Sequence, residues 1–579
     1  MKKRETDVLK HALKKRLAFI YKGIHNDIET LTEQALQLVL NYQDKIPQDP
    51  GKWNEQDVVL ITYGDSILNA TEPALKTLQR FSNKHWNDAI SILHILPFFP
   101  YSSDDGFSVI DYFEVREDLG SWKDIRDLQQ DFGLAADLVI NHISSRSHWF
   151  QNFLKNQHPG KDYFITENPD KDLRRVTRPR NTPLLTPYKT SEGTRYVWTT
   201  FSEDQVDLNF KNPEVFLKML EALLFYLSQG IRIIRMDAIA FLWKEPGTSC
   251  LHLPQTHEIV KLYRDVFEYL GPHLVLLTET NVPNEENLSY FGNGDEAHMV
   301  YQFSLPPLLL FAFYTESAHF IDKWGGSLPD PPAGATYFNF TASHDGIGVR
   351  PLEGIVPEKN KQQLFENIRR QGGVISVKNN ADGTTSPYEM NITYLDALRE
   401  TKYAGSDNHI DRFISSQAVM TAFKGVPAFY IHSLLGTTND YEGYEKTGRA
   451  RTLNRKQWDE EEIDKKLDSD TTHKEILQKL KKMISVRKQQ QAFHPDAAQK
   501  WIHLSDEFIA FSRISEKQEI ICITNVTSRN QGISIESQMP VRELLQNKRL
   551  SVGYAELVAE PFQTLWLSGA PGMIWVSRD

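Results

Sequence analysis

Cysteine is nearly absent: Cys250 and Cys522 are the only two in 579 residues, far apart and outside any CxxC or Cys/His spacing. That weighs against a disulfide framework or thiolate metal site and suits two unpaired thiols in a reducing cytoplasm. There is no basic excess either, since the formal net charge is -11, so a general nucleic-acid surface is not expected. The most apolar stretch, Leu305 to Tyr314, is too short for a bilayer and carries Pro306-Pro307, so no membrane partner is expected. The charged start, Met1-Lys2-Lys3-Arg4-Glu5-Thr6-Asp7, has no uninterrupted apolar core behind it, which predicts no secretory signal and a cytoplasmic location. Also missing are a glycine-rich phosphate loop, a GxSxG elbow and a His/Cys/Asp cluster of zinc spacing. These gaps argue against nucleotide, serine-hydrolase and metal chemistry, and neither a cofactor nor a metal is expected.

What is present has the balance of an ordinary soluble protein, 40% hydrophobic and 24% charged. The length suggests one large barrel with additions, or about three domains. From Val58 onward, β-favouring apolar runs alternate with helical periodicity. The strand candidates are Val58 to Tyr63, Ser91 to Leu96, Leu134 to Ile140, Ile231 to Met236, Leu274 to Thr278, Met299 to Phe303, Thr336 to Ala342 and Ala428 to Ile431. Eight β-then-α units with short links predict an α/β fold, a closed parallel (β/α)8 TIM barrel.

The barrel is expected over 51–143 and 214–492, with an inserted lid domain at 144–213 after the third strand. A second insertion spans 355–401, and its polar run from Asn379 to Thr385 predicts a mobile loop. Residues 1–50 read as an N-terminal extension of two helices, and 493–579, with short β-favouring runs, as a small C-terminal β domain.

Four of these strands end in chemistry. Arg235 and Asp237 close the fourth strand two residues apart, on one side of it. Taken alone, the pair fits a structural ion pair as well as a reactive carboxylate that Arg235 keeps ionised. But Leu274 to Thr278 runs into Glu279, Phe338 to Ser343 runs into His344-Asp345, and Asp137 to Ile140 runs into Asn141-His142. In a barrel these ends converge on one face, where three carboxylates would meet. Two carboxylates flanking a glycosidic bond suffice for glycoside cleavage, one as acid and one as nucleophile or base. Phe98, Phe99, Tyr101, Phe107, Trp198 and Phe201 are candidate faces for a pyranose, although each taken singly fits a core position better.

The segments Asp137 to His142, Gly230 to Ala238, Leu276 to Asn281 and Ala342 to Gly348 resemble the four signature regions of the α-amylase superfamily of retaining glycoside hydrolases. Within it, Leu96-Pro97-Phe98-Phe99-Pro100, Lys244 to Cys250, Leu305 to Leu310 and Ser343 to Val349 resemble the sucrose phosphorylase family. The resemblance implies Asp237 as the nucleophile of a β-glucosyl-enzyme, Glu279 as acid/base and Asp345 as transition-state stabiliser. It places Asp104, His142, Gln205, His344 and Arg455 around the glucosyl hydroxyls, with Phe107 as the stacking platform and Phe201 and Arg235 beside them.

On the acceptor side, Arg178-Pro179-Arg180 resembles that family's lid motif, where the second arginine binds phosphate, and Tyr388 matches a mobile-loop tyrosine with the same role. Asn281 stands where the sucrose enzymes carry a histidine, and Thr385 to Glu389 departs from their acceptor-loop wording. The run Thr177 to Leu185 looks most like the glucosylglycerate phosphorylase branch, whose acceptor bears a carboxylate. The implied activity is a glycosyltransferase-type phosphorolysis of 2-O-α-glucosyl-D-glycerate, with inorganic phosphate as co-substrate. Sucrose or sucrose 6′-phosphate phosphorolysis is the alternative, followed by an α-glucosidase or a non-catalytic sugar-binding barrel. The expected partners are a small-molecule glucoside and phosphate, with a homodimer left open.

Overall fold

The computed structural model describes residues 2–49, 51–380, 383–405, 407–469 and 471–578. Eight strands close into a parallel barrel: β1 (Val59–Thr62), β2 (Ile92–Ile95), β3 (Gly133–Val139), β4 (Ile231–Asp237), β5 (Val275–Thr278), β6 (Met299–Tyr301), β7 (Thr336–Phe340) and β8 (Val426–Tyr430). Each pairs with its sequence neighbours and β8 returns to β1, so all eight expected strands fall where the apolar runs put them. Except for Gly133 and Arg232 they are buried throughout, as parallel strands covered on both faces must be.

Helices cover the barrel, and their ends follow local chemistry. The helix Pro213–Ser228 begins with proline at its first position, and the Asn212 side chain accepts from the Glu214 N–H at 3.0 Å. The apolar run after Ser304 is the helix Leu305–Thr315, buried from Leu305 to Phe313 inside the protein. Among the described residues no helix is long and apolar enough to cross a membrane. The N-terminal helices α1 (Lys2–Ile20) and α2 (Ile28–Gln43) pack on the helices Pro254–Leu270 and Pro213–Ser228 respectively.

The segment after β3 carries a helix (His148–Leu154), a hairpin (Leu185–Thr190 with Gly193–Trp198) and a strand, Gln205–Asp207, that pairs with His142–Ser144. After β7, Val374–Asn379 and Thr385–Asn391 form a hairpin joined by Ile347–Gly348. The expected mobile loop is therefore the end of a paired hairpin, with residues 381 and 382 outside the described residues. Beyond Phe493, a six-stranded and a three-stranded sheet are built from 498–577.

Candidate active site

Strand pairing sets the floor of the site. Asp137 on β3 and Leu277 on β5 lie opposite Arg235 on β4, and Val139 lies opposite Asp237. Arg235 is 2% exposed, and its Nη1 donates both to Asp137 and, at 2.9 Å, to Asp237 Oδ1. Its Nη2 stands 3.9 Å from Glu279 Oε2, which also accepts from the Ala238 N–H at 3.0 Å. Ala238 is in the left-handed region (φ 51), an unfavourable conformation for alanine held directly after the Asp237 carboxylate. Below, His94 Nε2 contacts Asp137 Oδ2 at 2.8 Å.

Burial and the neighbouring charges sort the carboxylates. Burial pushes Asp237 well above the usual carboxylate range against the pull of Arg235, and Glu279 adds to the rise. Glu279 is raised by burial and by Asp345, with Arg235 opposing. A proton held there belongs to the pair. Arg235 hydrogen-bonds Asp237 but only approaches Glu279, which favours Glu279 as the protonated member of the pair. Asp345 goes the other way: burial would raise it, but Arg451 above all, then His344, Arg235 and Arg455, hold it well below the usual range. Burial also keeps His344 and His142 below the ordinary imidazole value, hence neutral near pH 7.

One half of the cavity is shaped by the loop after β2. Asp104 and Asp105 are both left-handed (φ 53 and 49), and Gly106 follows at φ 110, where an added Cβ would sit 2.7 Å from Pro97 O. Asp204 fastens this turn: its Oδ2 accepts from Ser102 and Ser103 at 2.5 Å and from Ser108 at 2.8 Å, while Oδ1 accepts from Ser145 at 2.6 Å. Phe107 then stacks flat on His344, ring centroids 4.7 Å apart. His142 accepts at Nδ1 from Asn141 and donates from Nε2 to Phe107 O at 2.9 Å. Gln205 Nε2 reaches Phe107 O at 3.1 Å and Asp104 Oδ2 at 3.2 Å.

The opposite half comes from the two insertions. In the hairpin, Ser376 faces Glu389 and Val377 faces Pro387, so Tyr388 is the extra residue of a β-bulge that turns both Tyr388 and Glu389 into the cavity. The Arg180 guanidinium lies over Tyr388 (5.5 Å) and Phe201 (5.9 Å). Asn281 presents a buried Oδ1 without a partner, and Gly348 leaves it room, since a Cβ there would come within 2.4 Å. An inner cavity of about 60 Å³ holds the three carboxylates and opens into an outer one of about 570 Å³ past Arg180, Phe201 and Tyr388.

Asp104, Phe107, His142, Phe201, Gln205, Asn281, His344, Tyr388, Glu389 and the three carboxylates thus share one cavity. Arg178 does not join them. The chain bends at Pro179 and Arg180, and Arg178 Nε and Nη2 are buried without a partner. Arg455 lines the outer cavity and not the inner one, with Nε donating to His344 O at 2.7 Å and Nη1 to Asp105 Oδ2 at 2.5 Å. Of the aromatic candidates, Phe98, Phe99 and Trp198 are fully buried in the core, and Tyr101 stacks under Arg116.

Three residues escape the sequence reading. Arg451 places Nη1 2.6 Å from Asp345 Oδ1 and donates to Glu389 from Nη2 at 2.6 Å and Nε at 3.1 Å. Asp105 holds Arg455, and Asn454 Nδ2 donates to the backbone carbonyls of Ser343 and Asp345. The arginine spacing Arg449, Arg451, Arg455 was the only signal available for the first.

A model of the α-amylase catalytic domain matches residues 89–322. The chain is 42% identical over 545 residues to the glucosylglycerate phosphorylase of Escherichia coli (strain K12), covering 93% of this chain and 95% of that protein. It is 44% identical over 521 residues to the glucosylglycerate phosphorylase of Allomeiothermus silvanus, covering 89% and 92%. Among solved structures, sucrose 6F-phosphate phosphorylase from Thermoanaerobacter thermosaccharolyticum superposes with a TM-score of 0.72 at 27% identity, over 81% of this chain and 94% of that one. With relatives of this identity matched over nearly their whole length, the chain belongs to the glucosylglycerate phosphorylase family, whose barrel is an α-amylase catalytic domain.

Proposed function

We infer that this protein is a retaining glycoside phosphorylase that reversibly converts 2-O-α-glucosyl-D-glycerate and inorganic phosphate to α-D-glucose 1-phosphate and D-glycerate. The observation that carries this reading is the meeting of the Asp237, Glu279 and Asp345 carboxylates in an inner cavity whose mouth is flanked by Arg180, in a chain 42% identical to a glucosylglycerate phosphorylase.

In the mechanism, Asp237 attacks the anomeric carbon as the glycerate oxygen leaves, and Glu279 gives that oxygen its proton. Arg235 stabilises the Asp237 carboxylate and steers the shared proton to Glu279, so both groups start in the required state. Asp345, kept ionised by Arg451, faces the positive charge that develops on the ring. Asp104, His142, Gln205 and His344 bind glucosyl hydroxyls and Phe107 carries the ring face, with Arg455 bracing His344 from outside. Phosphate then enters past Arg180 and Tyr388, transfers a proton to Glu279 and attacks the β-glucosyl-enzyme, giving net retention. A guanidinium at the mouth that makes no hydrogen bond among the described residues suits phosphate or a carboxylate acceptor, which it can bind as an ion pair, better than neutral water.

The test is a donor screen with inorganic phosphate, comparing glucosylglycerate, sucrose, sucrose 6′-phosphate and glucosylglycerol and measuring glucose 1-phosphate. Fastest turnover is expected on glucosylglycerate. Faster turnover of sucrose removes the acceptor assignment, and release of glucose at saturating phosphate makes the protein an α-glucosidase.

A further inference from the structure

The acceptor side of the cavity already contains an anion of its own. Glu389 is 2% exposed, and its carboxylate takes both arms of the Arg451 fork while standing 3.8 Å from Arg180 Nη1. Arg180 makes no hydrogen bond among the described residues, so Glu389 is the anion it faces before any ligand arrives. Arg451 is shared, because its third nitrogen, Nη1, holds Asp345. One buried carboxylate on the acceptor hairpin is therefore coupled to the catalytic carboxylate through a single guanidinium.

We propose that Glu389 is the built-in counter-anion of the acceptor site, a specificity-determining carboxylate that holds Arg451 on Asp345 and opposes the negative charge of any ligand received by Arg180. The proposal rests on the reading of Arg180 as the acceptor's anion receptor. A double-displacement phosphorylase must bind two different anions in turn at this place and release each of them. With Asp345 as their only counter-charge, the two arginines would hold a doubly charged phosphate tightly and let it leave slowly. A fixed carboxylate a few ångströms away lowers the affinity for every anion and penalises the doubly charged one most, since Coulomb repulsion scales with ligand charge. It has no such effect on a neutral polyol.

Glu389→Gln keeps the shape and one acceptor for Arg451 while removing the charge. The experiment is steady-state kinetics of acceptor attack with three probes: inorganic phosphate, D-glycerate, and glycerol as a neutral analogue of glycerate. The expected result is a KM for phosphate lowered about tenfold, a smaller drop for glycerate, and a rise of about tenfold in the kcat/KM ratio of phosphate over glycerol. A raised or unchanged phosphate KM overturns the proposal, as does an equal effect on charged and neutral acceptors, which is what a merely structural role gives. Glu389→Ala carries the same split by charge, with a lower kcat because Arg451 loses its anchor, and it decides the question if the Gln variant does not fold. Arg180→Gln is measured alongside: if it leaves the phosphate KM unchanged, the anion-receptor reading itself fails, whereas a raised KM with no charge split in Glu389→Gln defeats only the present proposal.

Discussion

Replacing Asp204 by Asn swaps one carboxylate oxygen for an amide nitrogen at a point where four serine hydroxyls converge. Ser102 and Ser103 precede the Asp104 turn and Ser108 follows it, so the three bonds to Oδ2 straddle the turn. The amide can keep Ser145 on Oδ1, but it turns a donor toward three hydroxyls that were donating. Charge-assisted hydrogen bonds contribute about 1.5 to 3 kcal/mol each, but this side chain is partly exposed and the hydroxyls can turn to accept from the new amide, so the net loss for the cluster is about 2 to 4 kcal/mol. Against it stands the strain of two consecutive left-handed aspartates, about 1 to 3 kcal/mol each. The two are comparable, so the weakened clamp lets the turn relax and withdraws Asp104 and Phe107 from the cavity in most molecules. Apparent affinity falls by the fraction of competent molecules, and about 2 kcal/mol corresponds to about thirtyfold. Steady-state kinetics in both directions should show KM for glucosylglycerate and for glucose 1-phosphate raised by about thirtyfold, with kcat at saturation reduced less than about threefold. A variant with a lowered Tm and unchanged KM values, or with kcat and KM affected alike, refutes the reasoning.

Asp237→Ala should lower kcat/KM by at least about 10³-fold, and a variant keeping a tenth of the activity is incompatible with Asp237 as nucleophile. Arg451→Gln removes the strongest influence holding Asp345 down, so its carboxyl rises toward the range where it protonates. Because the native group is ionised far into acid, activity should now be lost as pH falls through a higher value, with kcat about 10²-fold lower at neutral pH. An acid limb of the kcat/KM profile that does not move toward neutral pH contradicts this. Gly106→Ala forces a Cβ toward Pro97 O in a left-handed backbone and should cost about 1 to 3 kcal/mol in thermal unfolding, with a raised KM for glucose 1-phosphate. No change in either measurement would show that the loop adapts freely.

The barrel was legible because its signal is local and repeated. Each strand is a short apolar run, four of them running into polar residues, and β4 could be read to its terminal Asp237 because alternation ties Arg235 to it. Arg451 was not legible. Its importance comes from reaching Asp345 and Glu389, which are 106 and 62 positions away, and no periodicity connects them. Arg178 and Arg180 belong to one motif in the sequence, but only Arg180 lines the cavity, because the chain bends at Pro179 and Arg180 and a motif resemblance carries no backbone direction. The run Asn379 to Thr385 was legible as a turn from its residue types, while the pairing of Val374–Asn379 with Thr385–Asn391 and the bulge at Tyr388 were not, because both depend on register.

That contrast divides the chemistry from the choice of acceptor. Strand ends of a closed barrel have little freedom, so on the proposed mechanism Asp237 and Glu279 would activate any α-glucoside whose ring fits between Phe107, His142 and Gln205. The leaving group must depart on the Glu279 side, between Arg180 from one insertion and the Tyr388-Glu389 bulge from the other. Both segments are anchored through side chains: Arg451 binds the hairpin to Asp345, and Asp204 binds the first insertion to Ser102, Ser103 and Ser108 of the loop that carries Asp104. A change of acceptor therefore requires new residues at Arg180, Asn281 or Glu389 with Arg451 and Asp204 kept, because loss of either anchor reaches the catalytic carboxylates or the glucosyl pocket along with the acceptor.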